Sequence, residues 1–293
     1  MFEILKSQRS YMTNTYITIN EKFPRGLIEL YFDVDTEAKK LAIPYMIVGA
    51  MARDLVLVHG FDAKIERGTR DVDFGICVES WEQFHSLATN LITVGFIQDE
   101  QVSHRFYRNC SDGLPWELDI VPFGEIADDN NIAWPPKGDF VMNVLGFQEA
   151  LDHVWKVRAQ EDPELVLPVC SPVGIALLKL IAWLDRESDK RRKDATDLLY
   201  LICTYSKIPS IYDALFDEGY MDAQDYDDLK ASACKLGTDI AAISSAQAKD
   251  FLNQKLFDDE ALMDVLGREM KTGSKFSNEK SSDLLKLLAK PFK

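Results

Sequence analysis

With 293 residues, 46% of them hydrophobic, the chain can fill one large core or two ordinary ones. Its formal charge of −15 at pH 7 excludes a general affinity for anionic nucleic acid or membrane, so any nucleic-acid partner needs a local basic patch. Five scattered cysteines without CxxC spacing build neither a disulfide framework nor a zinc ribbon. The N-terminus lacks a signal pattern, and Lys179 interrupts the longest apolar stretch, Val173 to Leu184, which gives the expectation of a cytoplasmic protein with no membrane partner.

In chain order, Asp35 followed by TEAKKLAI reads as a capped helix leading into the apolar strand Tyr45-Met46-Ile47-Val48, which ends at Gly49. From Ala50 to His59 the apolar residues fall near helical spacing, and Gly60 stands where a helix C-terminal glycine is favoured. Asp71 to Val78 is β-rich with period two, and Ser80 caps the helical pattern WEQFHSLATNLITV. Three short β-type segments follow, at Phe96 to Asp99, His104 to Arg108 and Trp116 to Val121, then an irregular loop from Asp128 to Asp139. Beyond about Pro168 the pattern turns helical, with segments Val173 to Arg186, Lys193 to Tyr205, Ile211 to Glu218 and Ala223 to Gly237, and an amphipathic terminal helix. The expected architecture is α/β (α+β): a small mixed β-sheet core flanked by helices over residues 1–167, followed by a C-terminal helical domain over 168–293.

Asp71 and Asp73 are two apart, so on a strand their carboxylates share one face. Such a pair is either a solvated strand start or a cation site, and Mg²⁺ suits it through its preference for oxygen ligands and substrate phosphates. Arg67, Thr69 and Arg70 lead into the pair and bring cationic and hydroxyl groups to where a triphosphate would lie. Gly49, between strand and helix, serves a tight turn or a phosphate site at a helix N-terminus. In Glu117-Leu118-Asp119-Ile120-Val121 the alternation places Glu117, Asp119 and Val121 on one face. Asp119 is then partly buried and needs a partner: a salt bridge, or a metal for which it is the third carboxylate, with a further role in accepting the proton of an acceptor hydroxyl. The metal reading requires Asp119 to face the same side as Asp71 and Asp73.

Together these residues resemble the DNA polymerase β-like nucleotidyltransferase superfamily and, within it, the AbiEii-type toxins of bacterial toxin-antitoxin systems. The resemblance is carried by Val48-Gly49-Ala50-Met51-Ala52-Arg53, Arg67-Gly68-Thr69-Arg70-Asp71-Val72-Asp73, Leu118-Asp119-Ile120, Lys179 with Asp185-Arg186, and Lys193-Asp194-Ala195-Thr196-Asp197-Leu198, roughly residues 45 to 200. It implies an enzyme that moves a nucleoside monophosphate from an NTP to a hydroxyl of tRNA or protein, with an antitoxin as possible partner. It also implies Asp71, Asp73 and Asp119 as catalytic ligands of two Mg²⁺, with Mn²⁺ as substitute, and Gly49 against the triphosphate. Ala50, Arg53, Arg67, Thr69, Lys179, Arg186 and Asp194 complete the implied nucleotide-binding set. Ala50 departs from the serine that many members carry, which removes one hydroxyl contact to phosphate. Competing expectations are a small-molecule (aminoglycoside-type) transferase, a non-catalytic nucleotide-binding module of the same fold, and a phosphohydrolase.

On its apolar helix Lys179 either snorkels or reaches a phosphate or carboxylate, and the resemblance favours phosphate. Arg186 pairs Asp194 or Asp197, while Lys193 and Asp197 stand at i and i+4 and can form a surface pair. Lys190-Arg191-Arg192-Lys193 is the dense basic cluster, either a solvated helix start or, if the acceptor is RNA, the place where its phosphates would be engaged. The four histidines lack metal-ligand spacing, and GxGxxG, GxxxxGK[ST], GxSxG and HExxH are absent.

Overall fold

The computed structural model describes residues 15–19, 23–65, 70–113, 115–135, 138, 141–271, 273 and 275–293. Arg67 and Thr69 lie outside them. The chain divides into two compact units, Met1–Ser171 and Pro172–Lys293.

The first unit is built on an eight-stranded mixed sheet of order β1-β9-β10-β2-β3-β6-β5-β4. The strands are β1 (Tyr16–Thr18), β2 (Tyr45–Val48), β3 (Asp71–Cys77), β4 (Ile97–Gln98), β5 (Arg105–Asn109), β6 (Pro115–Phe123), β9 (Trp155–Gln160) and β10 (Leu165–Val169). A separate hairpin pairs β7 (Asn131–Ala133), inside the segment expected to be an irregular loop, with β8 (Val141–Asn143), just beyond it. Helices α1 (Arg25–Lys40), α2 (Gly49–Arg53), α3 (His59–Phe61), α4 (Trp81–Thr93) and α5 (Phe147–Asp152) complete the unit, with a π-helical turn, Asp54–Val58, between α2 and α3.

Four buried residues in a row mark β2 as an interior strand, whereas β3 alternates: Val72, Phe74 and Ile76 are fully buried on the face that α1 covers, with Tyr31 of α1 6.1 Å from the Phe74 ring. On the other face of β3, Gly75 leaves room for Phe147 of α5, so that face is covered toward its C-terminal end while Asp71 is exposed and Asp73 half-buried.

Several expectations about elements need correction. Helix α1 starts at Arg25, not at Asp35; Asp35 is a buried mid-helix carboxylate that accepts from the Tyr45 hydroxyl (2.7 Å) and the Lys39 ammonium (2.8 Å). Gly60 lies within α3, and the left-handed residue that ends the helix is Asp62, at φ 53°. Strands β1, β9 and β10 are additional to the expected elements: β1 is three residues long and β10 contains Pro168, whereas β9 does carry a period-two pattern, with Trp155, Val157 and Ala159 buried.

The second unit is helical: α6 (Pro172–Asp185), α7 (Arg192–Thr204), α8 (Pro209–Asp217), α9 (Tyr220–Ala223), α10 (Asp228–Ile243), α11 (Ala246–Leu252), α12 (Glu260–Met270) and α13 (Asn278–Ala289). Asp227, Ser245, Asp259 and Ser277 cap α10 to α13 through their side chains. The expected helix Ala223 to Gly237 is in fact split, because Asp225 and Tyr226 take positive φ, and the second part runs on to Ile243. Gly237 does not stop it; an added Cβ there would overlap the Leu288 carbonyl, so the glycine serves close approach of α10 and α13. No helix among the described residues is long and apolar enough to cross a membrane.

Candidate active site

Strands β3 and β6 run parallel in a register that sets Asp71 opposite Glu117 and Asp73 opposite Asp119. Residues two apart on a strand share a face, and so do residues directly opposed on its neighbour. Asp71, Asp73, Glu117 and Asp119 therefore line one face at the same end of the sheet. Asp119 does face the side of Asp71 and Asp73.

Strand β2 is antiparallel to β3 with Val48 opposite Asp73, which delivers the start of α2 to the same end. Gly49, the first residue of α2, has φ +71°, and a Cβ added to it would overlap Asp73 Oδ2. Two independent constraints thus demand glycine: a left-handed backbone and the seat of a carboxylate against the chain. Val48 supplies no side-chain cap, so the helix opens on backbone groups alone, with half-buried Ala50 next in line.

The third edge of the site comes from β5, whose Arg105 is opposite Asp119 in the antiparallel β5–β6 pairing. Its Nε and Nη2 each donate to one Asp119 oxygen at 2.8 Å, and Nη2 also reaches Glu117 Oε1 at 2.9 Å. This bidentate geometry is the strong form of an arginine–carboxylate pair. The hydrogen bonds to Asp119 hold the guanidinium above its already high range. Burial raises the Glu117 carboxyl above its ordinary value, with Asp119 and Asp71 adding to the rise and Arg105 opposing it. His104, whose ring lies 4.7 Å from that of Trp134, is lowered by burial although Asp119 pulls the other way, so a neutral imidazole borders the site near pH 7.

Oxygen-only donors on two registered strands suit a hard cation in kind. Among the described residues, however, no group of three or more Asp, Glu, His or Cys is gathered closely enough to hold a metal ion, and both Asp119 oxygens are turned to Arg105. Of the two partners foreseen for Asp119, the structure has the salt bridge. A cleft of about 490 Å³ lined by Trp81, Asp128, Asp129 and Asn131 lies elsewhere in the same unit and includes none of these carboxylates.

The other described residues of the expected set make the following contacts within their own units. Arg53 is 1% exposed, and its guanidinium pairs Asp54 at 2.7 Å. Lys179, Arg186 and Asp194 form a cluster of their own in the helical unit. Lys179 Nζ lies 2.8 Å from Asp194 Oδ1 and 2.9 Å from Asp197 Oδ2, and Arg186 Nη1 lies 2.7 Å from Asp194 Oδ2. The ammonium that the resemblance directs to phosphate is thus held by two carboxylates. Burial opposes its charge, but Asp194 and Asp197 outweigh burial and keep it above its usual range. Asp197 turns inward to Lys179 rather than outward to Lys193. In the basic cluster, Lys190 pairs Glu187, and Arg191 lies over the Trp183 ring and pairs Glu269, leaving Arg192 and Lys193 as exposed cations of the run.

Arg105 and Glu117 are the site residues that sequence reasoning passed over. Glu117 was legible as a face-mate of Asp119; Arg105 was legible only as a β-segment residue, since its register against Asp119 is fixed by strand pairing.

The family model described as "Nucleotidyl transferase AbiEii toxin, Type IV TA system" matches residues 37–268. No curated protein matches the chain. Among solved structures it is similar to the lincosamide antibiotic adenylyltransferase LnuA in lincomycin-bound form, at 18% identity over 59% of this chain and 94% of that one, with a TM-score of 0.35. It is similar also to the antibiotic-resistance factor ANT(2'')-Ia, at 16% identity over 70% of this chain and 98% of that one, with a TM-score of 0.36. A third similarity is to the Thermotoga maritima CCA-adding enzyme complexed with tRNA, at 11% identity over 93% and 83% of the two chains, with a TM-score of 0.26.

Proposed function

This chain belongs to the AbiEii family of nucleotidyltransferases, and we propose that it transfers a nucleoside monophosphate from an NTP to a hydroxyl of tRNA or protein in a Mg²⁺-dependent reaction, as the toxin of a toxin-antitoxin pair. The observation that carries the reading is the register of β3 with β6, which sets Asp73 beside Asp119 and puts Asp71 on the same face, with Gly49 seated against Asp73.

In this reading Asp71, Asp73 and Asp119 hold the divalent ions, Mg²⁺ or in its place Mn²⁺. When bound, such ions neutralise charge on the triphosphate and on the departing pyrophosphate. The backbone at Gly49 and Ala50 receives phosphate oxygens, helped by the positive end of the helix that starts there. Arg67 and Thr69, four and two residues before Asp71 in sequence, would supply further phosphate contacts. The acceptor oxygen attacks the α-phosphorus, the bond from that phosphorus to the bridging oxygen breaks, and pyrophosphate leaves. The hydroxyl proton passes to the Asp119 carboxylate. Lys179, Arg186, Asp194 and Asp197 fix α6 against α7, and Arg53 with Asp54 anchors the α2 turn behind Gly49.

Incubating the protein with Mg²⁺, each α-labelled NTP in turn and a cell extract should give one labelled band. Its sensitivity to ribonuclease or protease assigns the acceptor, and a labelled small molecule would replace the macromolecular acceptor with an antibiotic-like one. Asp71→Asn and Asp73→Asn should each lower transfer by at least about 10²–10³-fold, on the scale seen when a group stabilising transition-state charge is removed. Full transfer by either variant refutes the proposal.

A further inference from the structure

Within the helical unit, α8, α9 and the turn into α10 hold three large aromatic side chains in solvent: Tyr212 is 48% exposed, Phe216 43% and Tyr226 65%. Tyr212 and Phe216 stand one turn apart on α8 with ring centroids 5.2 Å apart, so they form one continuous surface. The core has no room waiting for them, because the inward side of the same elements is already packed: Leu215, Met221 and Ala231 are buried together, with Tyr220 against them. Tyr226 has a positive φ of 60°, and its hydroxyl is hydrogen-bonded to Asp222 of α9, which ties the ring to the surface. Single exposed apolar residues are ordinary, but contiguous exposed aromatic surface marks a place of contact.

The charge around these rings determines what they contact. Between Lys207 and Lys230 the sequence holds seven acidic residues and no lysine, arginine or histidine. Glu218 is taken by Lys235 at 3.3 Å and Asp227 caps α10, whereas Asp213, Asp217, Asp225 and Asp228 are exposed. On α8, Asp213 and Asp217 run as a stripe beside Tyr212 and Phe216, since residues three and four apart are neighbours on a helix. Such a rim repels RNA, an anionic membrane and the same face of a second copy. It attracts cations, and arginine both pairs with carboxylates and stacks on aromatic rings. We propose that this face docks a basic segment of a partner protein. Its arginine or lysine side chains lie over Tyr212 and Phe216 with their charges toward Asp213 and Asp217, and its apolar side chains cover the rings. The proposal is independent of the nucleotidyl-transfer reading and stands or falls without it.

The probe is a synthetic helical peptide of arginine and leucine, titrated into the full chain by calorimetry beside a matched peptide with glutamine in place of every arginine. The arginine peptide should bind at least about tenfold more tightly than the glutamine peptide, and more weakly as salt is added. Tyr212→Ala and Phe216→Ala should each weaken it on the order of tenfold, as expected of aromatic anchors at the centre of a contact. Asp213→Asn combined with Asp217→Asn should weaken it similarly and flatten its salt dependence. Ile92→Ala, which removes an exposed apolar side chain of the sheet unit, should leave the affinity unchanged. Hydrogen exchange on the wild-type chain supplies a readout that needs no variant to fold: the bound peptide should slow exchange over residues 209–228 and leave the sheet unit as it was. No binding of the arginine peptide, equal affinity for wild type and the face variants, or protection confined to another region overturns the proposal. Protection of the same amides by tRNA or by anionic vesicles, but not by the peptide, overturns it too and assigns the face to a different class of partner.

Discussion

Two of the clusters that join aspartates to arginine or lysine among the described residues, one in each unit, differ in the enclosure of their carboxylates. In the helical unit, Asp194 and Asp197 have side chains 0% and 1% exposed and are held by Lys179 at 13%, with Arg186, 48% exposed, reaching Asp194 from the solvent side. In the sheet unit, Asp119 and Glu117 share Arg105 at 16%, 24% and 30% side-chain exposure, at a sheet end where Asp71 is exposed. Removing Lys179 would leave carboxylate charge in low dielectric, whereas the Asp119 and Glu117 carboxylates are partly screened by solvent. Ion pairing alone therefore does not mark a functional site. What separates the two is whether solvent and ligand can reach the pair.

Substitutions test this contrast in decreasing order of effect on stability. Lys179→Met strips buried Asp194 and Asp197 of their shared cation and should destabilise the protein by about 3–5 kcal/mol, the usual result of breaking a buried pair from one side. Urea denaturation measures it, and a loss below about 1 kcal/mol would mean the cluster is less enclosed than its geometry states. Gly49→Ala forces a Cβ onto a left-handed backbone and into the Asp73 carboxylate, so it should lower stability by about 1–3 kcal/mol and also weaken nucleotide binding. Binding and melting measured on the same variant check both halves. Glu117→Gln removes one arm of the open cluster and should change stability by less than about 1 kcal/mol. If calorimetry gave it a loss as large as that of Lys179→Met, the open-against-closed distinction would fail.

Legibility followed the range of the signal. The face shared by Asp71 and Asp73, and by Glu117 and Asp119, needs only a strand's period of two, and the break at Gly49 needs only the end of an apolar run. Helices of the second unit were visible in outline, but the positive φ at Asp225 and Tyr226 was not, because neither residue is a glycine that would announce a turn. Asp35 misled for a related reason: an acidic residue before a helical pattern looks like a cap, and only the position of Tyr45 across the fold turns it into a buried mid-helix acceptor. The same held for Lys179, whose apolar helix stated that the ammonium needs a partner and left the partner's identity to the packing of α7.

Alternation, turn chemistry and the order of motifs along the chain were set by the sequence itself, since each depends on neighbours a few residues apart: the mixed α/β character, the paired aspartates, the glycine at the strand–helix turn and the family. Tertiary structure alone decided which strands pair and in what register. It set Asp73 against Asp119, brought Arg105 from a separate strand onto both oxygens of Asp119, and enclosed Lys179 among aspartates. Register is a sum over contacts between segments distant in sequence, and a shift by one residue in a strand would turn its Asp73, Asp119 or Arg105 to the opposite face.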